Sequence, residues 1–416
     1  MAEHPASPAP QPPPAKKGAS SHTFLWMAAA GLTLRLASAP WTAHSVDMGT
    51  FVGWGRQLAQ VGLPDFYSPD RWCDYFPGYL YILWLIGHVN VGGWLERVLF
   101  KLPAMLADIA TAAIIWRTLR TSRPRLRFAA TTVYLFNPAV LLNSTFWGQV
   151  DGFHALFIIW GLSLLSGGMT LRAAAAFGYA VAIKPHAAAV LPLAAVYAWR
   201  KGTRWRGILA ALLIVGLVFA ATFLPFAGGS PTKTISLIRD RFVQTAGQYQ
   251  YATINAMNLW YLAGLNFKPD GTPAWWGMSP ANWAVILVAV CGAVLIVWMI
   301  RRPGRVTLWS ASGMMFLALF LFVTRAHERH LFPALAILTV AAGWRPKLTA
   351  SLVVLSATYV VNALLSLRYL DPRYRSAQLC DPVIADAICI VNLAMLIVIP
   401  ILLWRTPRTG DADEQA

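Results

Sequence analysis

Apolar runs long enough for a bilayer recur along almost the whole chain, and the basic residues sit in short clusters between them. At about 17 to 25 apolar residues per span, the runs place twelve helices, near 23–42, 99–117, 128–146, 151–167, 171–185, 187–199, 207–226, 282–300, 306–323, 331–344, 348–366 and 384–404. The fold class read from this is all-α: a polytopic membrane helix bundle of about twelve transmembrane helices. A soluble globular domain is excluded, since 57% of the residues are hydrophobic and 12% charged, against roughly a quarter charged in ordinary soluble domains.

Loop charge orders the spans. Clusters at Arg117, Arg120, Arg123, Arg125 and Arg127, at Arg200, Lys201, Arg204 and Arg206, at Arg301, Arg302 and Arg305, at Arg345 and Lys347, and at Arg405 and Arg408 all fall on one face, with no Asp or Glu among them. The positive-inside rule makes that face cytoplasmic. The opposite face carries the long loops 43–98, 227–281 and 367–383 and most of the carboxylates. Residues 1–22, rich in Ala, Pro and Ser, read as a disordered cytoplasmic tail. Residues 23–404 form a single transmembrane domain with 43–98 and 227–281 as its two large extracytoplasmic loops, and 405–416 is a second cytoplasmic tail. The first run has no small-residue cleavage site and is interrupted by Arg35, so it reads as a retained anchor. Phe76–Asn90 is apolar but only about fifteen residues long. If it crossed, the five arginines of 117–127 would lie outside, so it is placed in the interface, which makes the first loop a carrier of interfacial helices.

The net charge of +17 would suggest nucleic acid if it formed one patch. Its dispersal along the topology points to membrane lipids as the partner and not to nucleic acid. Four cysteines show no CxxC spacing, which leaves a Cys73–Cys380 disulfide as one pairing to weigh. No residue cluster calls for a metal or a cofactor. The motifs GxxxxGK[ST], HExxH and GxSxG are absent. No internal repeat supports an inverted-repeat transporter, and no soluble domain is large enough for a nucleotide sugar. An activated donor would therefore be a lipid.

Ionisable groups at the membrane are the functional candidates. Asp47, just beyond the first span, is placed to take a proton from a hydroxyl acceptor, or is a solvated loop acid or helix cap. Asp74, followed by Tyr75, is a second candidate acid or a turn residue. Trp147, Gly148, Gln149 and Asp151 lie between two spans, where they serve equally as an aromatic anchor with a helix cap or as a sugar-stacking and hydrogen-bonding group. The Asn143-Ser-Thr sequon lies at the bilayer edge and is discounted. Lys184 has no carboxylate neighbour in sequence and needs an anionic partner or an anionic ligand. Arg325, His327, Glu328, Arg329 and His330 crowd one turn, which suits a lipid-linked phosphate or diphosphate, or is a snorkelling cluster. Arg35 and Asp108 are mid-span and read as a structural pair.

The order Asp47…Trp54…Leu58…Gly62…Phe66-Tyr67, then Asp74-Tyr75-Phe76-Pro77-Gly78-Tyr79, Trp147-Gly148-Gln149-Val150-Asp151, Lys184-Pro185, Asn255-Ala256-Met257-Asn258-Leu259-Trp260 and His327-Glu328-Arg329-His330 resembles the bacterial integral-membrane glycosyltransferases of the GT-C superfamily. It is similar to prokaryotic relatives of the second mannosyltransferase of GPI-anchor assembly and of the dolichyl-phosphate-glucose glucosyltransferases. The resemblance covers about residues 43 to 335. It implies a polyprenyl-phosphate-linked donor sugar, a hexose and foremost mannose, moved with inversion to a glycan or lipid-linked acceptor of the cell envelope. The reaction would take place on the extracytoplasmic face of the plasma (inner) membrane. By that resemblance Asp47 is the general base. Asp74, Tyr75, Trp147, Gln149, Asp151, Lys184, Asn255, Asn258, Arg325, His327, Glu328, Arg329 and His330 line the substrate site, with Lys184 and the 325–330 turn on the donor phosphate. Phe76, where a second proline is common, and His186, where Gln is usual, depart from the pattern. The alternative weighed is a transporter or flippase of a lipid-linked or small polar solute, which would distribute its charges along a midplane path.

Overall fold

A computed structural model describes residues 21–42, 44–370 and 381–404. The tail 405–416, most of the tail 1–22 and Cys380 lie outside the described residues, so the Cys73–Cys380 pairing does too. Ser21 and His22, assigned to the tail from sequence, already belong to a helix.

The helices are α1 (Ser21–Ser38), α2 (Ser45–Val61), α3 (Pro77–Gly87), α4 (Gly93–Thr118), α5 (Pro124–Phe136), α6 (Pro138–Leu141), α7 (Asp151–Ser166), α8 (Thr170–Ile183), α9 (Leu191–Arg200), α10 (Trp205–Phe223), α11 (Pro231–Gly247), α12 (Leu259–Leu262), α13 (Pro280–Arg301), α14 (Arg305–Phe322), α15 (Phe332–Trp344), α16 (Leu348–Leu370) and α17 (Pro382–Trp404). Proline opens many of them, because its missing N–H costs nothing in a first turn. The hydroxyls of Ser230 and Ser279 accept from the backbone N–H of Lys233 and Asn282 and so cap α11 and α13.

Every apolar window of the sequence contains a helix. Among the described residues six helices are individually long and apolar enough to cross a bilayer: Gly93–Thr121, Trp205–Phe223, Pro280–Arg301, Arg305–Phe322, Leu348–Tyr369 and Pro382–Leu403. Several other windows are broken. The run 128–146 turns at Asn137-Pro138 from α5 into α6 and then into a π-helical turn, Leu142–Trp147, since proline cannot continue the preceding helix. The run 187–199 starts as a 3₁₀ turn, Pro185–Val190. The segment 76–90 is the eleven-residue α3, about 16 Å long at 1.5 Å per residue, which is about half the thickness of the hydrocarbon core.

The bundle has a centre and a rim. In α14, 83% of the apolar window is buried, against 11% in α10 and 17% in α13. Leu213, Leu217, Val285 and Val294 therefore expose apolar side chains outward, as a surface meeting lipid requires. Small residues let the central helices close up. A Cβ on Gly161 would reach Phe177, and one on Gly313 would reach Leu338, which puts α7 on α8 and α14 on α15. Arg35 Nε meets Asp108 Oδ2 at 3.1 Å, both side chains fully buried, and the Ser144 hydroxyl donates to the same oxygen at 2.6 Å. These two mid-span charges neutralise each other as an ion pair.

Both large loops fold back on one end of the bundle. α2 and α3 pack so closely that a Cβ on Gly87 would collide with the backbone oxygen of Gly55. In the second loop, β1 (Thr253–Ile254) pairs in parallel with β2 (Ala326–His327). The Asn258 Nδ2 and Trp260 Nε1 groups donate to Phe320 O and Phe322 O, and Asn362 and Asn392 donate to Asn255 O and Met257 O. This fastens the loop across α14, α16 and α17.

Candidate active site

Asp47 stands in the first turn of α2, whose N-cap is His44. Its Oδ2 accepts from Trp147 Nε1 at 2.6 Å, from Gln149 Nε2 at 2.7 Å and pairs with His44 Nδ1 at 3.1 Å. All three bonds fall on one oxygen, leaving Oδ1 for a substrate. The Trp147 and Gln149 donors come from the turn after the π-helix, where Gly148 has φ +90°. A Cβ there would be both strained and 2.7 Å from Met48 Cε. Burial alone would raise the Asp47 carboxyl. The His44 bond, the Arg329 charge and the Trp147 bond outweigh it and hold the carboxyl well below the usual range.

Asp151 opens α7 and is buried, its Oδ1 paired with the Lys184 ammonium and its Oδ2 accepting from Asn143 Nδ2 at 3.2 Å. Asn143 in turn donates to the Tyr359 hydroxyl at 2.8 Å. Lys184, alone in sequence, thus has an internal anionic partner in Asp151, one of the two readings its sequence position left open. Glu328 and Arg329 lie 3.4 Å apart, and the Arg329 guanidinium stands 5.9 Å from the Trp147 ring centre. Arg329 Nε is buried without a partner among the described residues. Burial pushes Asp74 up, with Arg329 opposing, and the same balance raises Tyr75. Arg329 is therefore the charge shared by Asp47, Asp74 and Tyr75.

The carboxylates differ in access. The Asp47 side chain is 26% exposed, against 1% for Asp151 and 2% for Glu328. A substrate hydroxyl can reach Asp47 but not those two.

Four residues named from sequence are engaged in bonds that hold the fold. Arg325, in a left-handed conformation at φ +63°, turns away to pair with Asp270 Oδ2 at 2.7 Å and to bond Ala246 O. Asn258 caps α12 through Trp260 N and Tyr261 N. Asn255 exchanges bonds with Asn266 at 2.9 and 3.1 Å. His330 Nδ1 accepts from His327 N at 2.8 Å, so its ring is neutral. Burial, together with nearby cations, keeps both His327 and His330 well below their ordinary pKa. The five-residue turn is thus not a cluster of cations: it presents one guanidinium beside neutral imidazoles.

Sequence reasoning missed His44, because histidine is not among the residues favoured at helix N-caps, and only the structure shows it capping α2. It missed Lys101, which is fully buried and donates to Ala39 O at 2.9 Å, to Thr42 O and, at 3.3 Å, to Thr42 Oγ1. Its aliphatic stem lies beneath Gly148. It also missed the ring row His154–His186–His330–His327, with centre separations of 4.7, 5.4 and 5.6 Å. No local pattern announces it, because separate elements supply it. Among the described residues no three His, Cys, Asp or Glu side chains converge as a metal site.

The profile of glycosyltransferase family 87 matches residues 72–324, well over half of the chain. The chain belongs to glycosyltransferase family 87. This family is GT-C-like, so the superfamily expected from the motif order is the one found, and the chain is a multi-pass membrane glycosyltransferase. Its fold is similar to the crystal structure of ArnT from Cupriavidus metallidurans bound to undecaprenyl phosphate, with a TM-score of 0.53 and 16% identity, covering 93% of this chain and 73% of that one. No curated protein matches the sequence significantly. The family match begins at Trp72, so Asp47 lies before it and its role rests on geometry.

Proposed function

We propose that this glycosyltransferase moves a hexose, foremost mannose, from a polyprenyl-phosphate donor to a hydroxyl of a lipid-linked or cell-envelope glycan. The reaction inverts the anomeric carbon and takes place on the extracytoplasmic face of the plasma (inner) membrane. The observation that carries this reading is the reachable carboxylate of Asp47, fixed through one oxygen by Trp147, Gln149 and His44, beside the guanidinium of Arg329. The undecaprenyl phosphate bound to the similarly folded ArnT supports a lipid phosphate as leaving group.

In the reaction the acceptor oxygen bonds to the anomeric carbon as the carbon–oxygen bond to phosphate breaks. The acceptor proton passes to Asp47 Oδ1, and the polyprenyl phosphate leaves with the bonding pair. A carboxylate held far below its usual pKa is ionised but weakly basic, and general-base catalysis favours a pKa near the working pH. Arrival of the phosphate at Arg329 resolves this. The anion takes up the charge that had stabilised Asp47, and the carboxylate becomes a stronger base as the donor binds. Twelve spans with both termini cytoplasmic then put the arginine-rich loops inside and this site outside. A transporter would place its charges along a midplane path, whereas the mid-span charges Arg35 and Asp108 pair with each other.

The test is to supply the purified protein in lipid nanodiscs with radiolabelled polyprenyl-phosphate mannose, glucose, galactose and arabinose in turn, each together with a glycolipid extract of bacterial envelopes as acceptor, and to measure release of polyprenyl phosphate and transfer of label to glycolipid. Consumption of the mannose donor is expected. Consumption of another donor alone would correct the sugar, and consumption of none would overturn the reading.

A further inference from the structure

α11 carries a polar stripe that the reaction above does not use. Arg241 and Gln244, three apart, share one face of α11, and Gln248 is the residue that caps its C-terminus. On each, a buried polar atom has no partner: Arg241 Nε, Gln244 Oε1 and Gln248 Oε1. The stripe is anchored at both ends. Arg241 Nη1 donates to Cys73 O at 3.4 Å and its guanidinium lies 4.6 Å from the Tyr67 ring centre, while Phe242 packs on Phe76 at 5.0 Å. Just past the other end, Tyr249 stacks edge-on to His327 at 5.6 Å, and its hydroxyl feels Asp74, Arg329 and Asp47. From Arg241 to Gly247 the helix advances about 9 Å, away from the Cys73 carbonyl. Nearer the centre, Asp74 Oδ1 and Gln149 Oε1 are also buried without a donor among the described residues, and Gln149 has its amide orientation set by Asp47.

Buried polar groups in folded proteins are almost always satisfied, so this row calls for a ligand or water rich in hydroxyls. Four of its five orphan atoms are acceptor oxygens, which need hydrogen-bond donors. A fully ionised phosphate or carboxylate has no hydrogen to give them and leaves these oxygens unsatisfied. A hydroxyl both donates and accepts, so it satisfies a glutamine in either amide orientation and also the Arg241 N–H. We propose that the α11 stripe, with Asp74 and Gln149, is the acceptor subsite, and that it takes a neutral polyhydroxylated glycan and not an anionic headgroup. The assignment deepens the transferase reading and rests on it for the word acceptor.

The experiment reads binding without turnover. Saturation-transfer NMR on the nanodisc protein compares a neutral octyl dimannoside with its uronate counterpart, for the wild type and for the Gln244→Ala/Gln248→Ala double variant. A separate titration with undecaprenyl phosphate reports the donor side. Expected are binding of the neutral glycoside to the wild type in preference to the uronate, and a loss of about five- to tenfold in the double variant, from two neutral hydrogen bonds. Undecaprenyl phosphate binding should stay within about twofold. Equal glycoside binding in both proteins, preference for the uronate, no glycoside binding to the wild type, or a loss confined to undecaprenyl phosphate each overturns the assignment. Failure of the transferase reading shows separately, as a wild type that binds the glycoside yet consumes no polyprenyl-phosphate sugar.

Discussion

Asp47 and Asp151 show how little residue type says about role. Both are aspartates near the end of a helix, yet one is a reachable carboxylate with a spare oxygen and the other is locked to Lys184 and Asn143. Asp47→Asn keeps the shape and the capping position while removing the basicity. We expect turnover to fall about 10² to 10⁴-fold, with folding and undecaprenyl phosphate binding retained. Near-normal turnover in a folded Asp47→Asn protein would remove it from the mechanism and leave Asp74 next in line. The histidines give a pH prediction. His327 and His330 are held neutral by burial, whereas the unfolded chain protonates below about 6.5. Their folded pKa is lowered, so the unfolded state binds more protons as pH falls and stability is lost below that value. The melting temperature of the wild type should drop between pH 7.5 and 5.5. That part of the drop should vanish in His327→Gln/His330→Gln.

Among the elements, α2 and the 142–149 turn carry the site, and neither is a spanning helix. α2 holds its place because Gly55 and Gly87 allow its backbone to meet α3 at van der Waals distance. Gly87→Ala forces the two helices apart, at a cost on the order of 1–3 kcal/mol, and moves Asp47 with α2. A lowered melting temperature together with reduced turnover is the expected outcome, and a fully active, equally stable variant would show that the contact does not position the site. The second loop is held by side chains rather than by its two-residue ladder. Arg325→Ala should free Asp270 and Ala246, and limited proteolysis should then cut between 246 and 270 faster than in the wild type while polyprenyl phosphate affinity is unchanged.

At the scale of the whole molecule, the polar centre and both large loops share one end, and the described arginine clusters share the other. Cysteines introduced at positions in 119–126 should resist an impermeant thiol reagent added from outside the cell, whereas one in α11 should react. Labelling at 119–126 would invert the topology. The fold class and the membrane were legible in the sequence because bilayer thickness and loop charge act on every span separately. Asp47, the Trp147-Gly148-Gln149 turn and Arg329 were legible as candidates because ionisable and hydrogen-bonding groups at a membrane edge are few.

Partnership was not legible, because it depends on positions far apart in the chain. Sequence could not pair Lys184 with Asp151, turn Arg325 away toward Asp270, bury His330 beside His186 and His327, or bring Arg241 of α11 to the Cys73 carbonyl. Each of these follows from which faces the packed helices bring together, and in a low-dielectric interior it is the neighbour that decides whether a side chain is a free charge, a locked pair or an unsatisfied acceptor. Local patterning thus determined that this chain is a helical membrane protein with chemistry at one edge. Only the tertiary structure decided which carboxylate stays open to substrate.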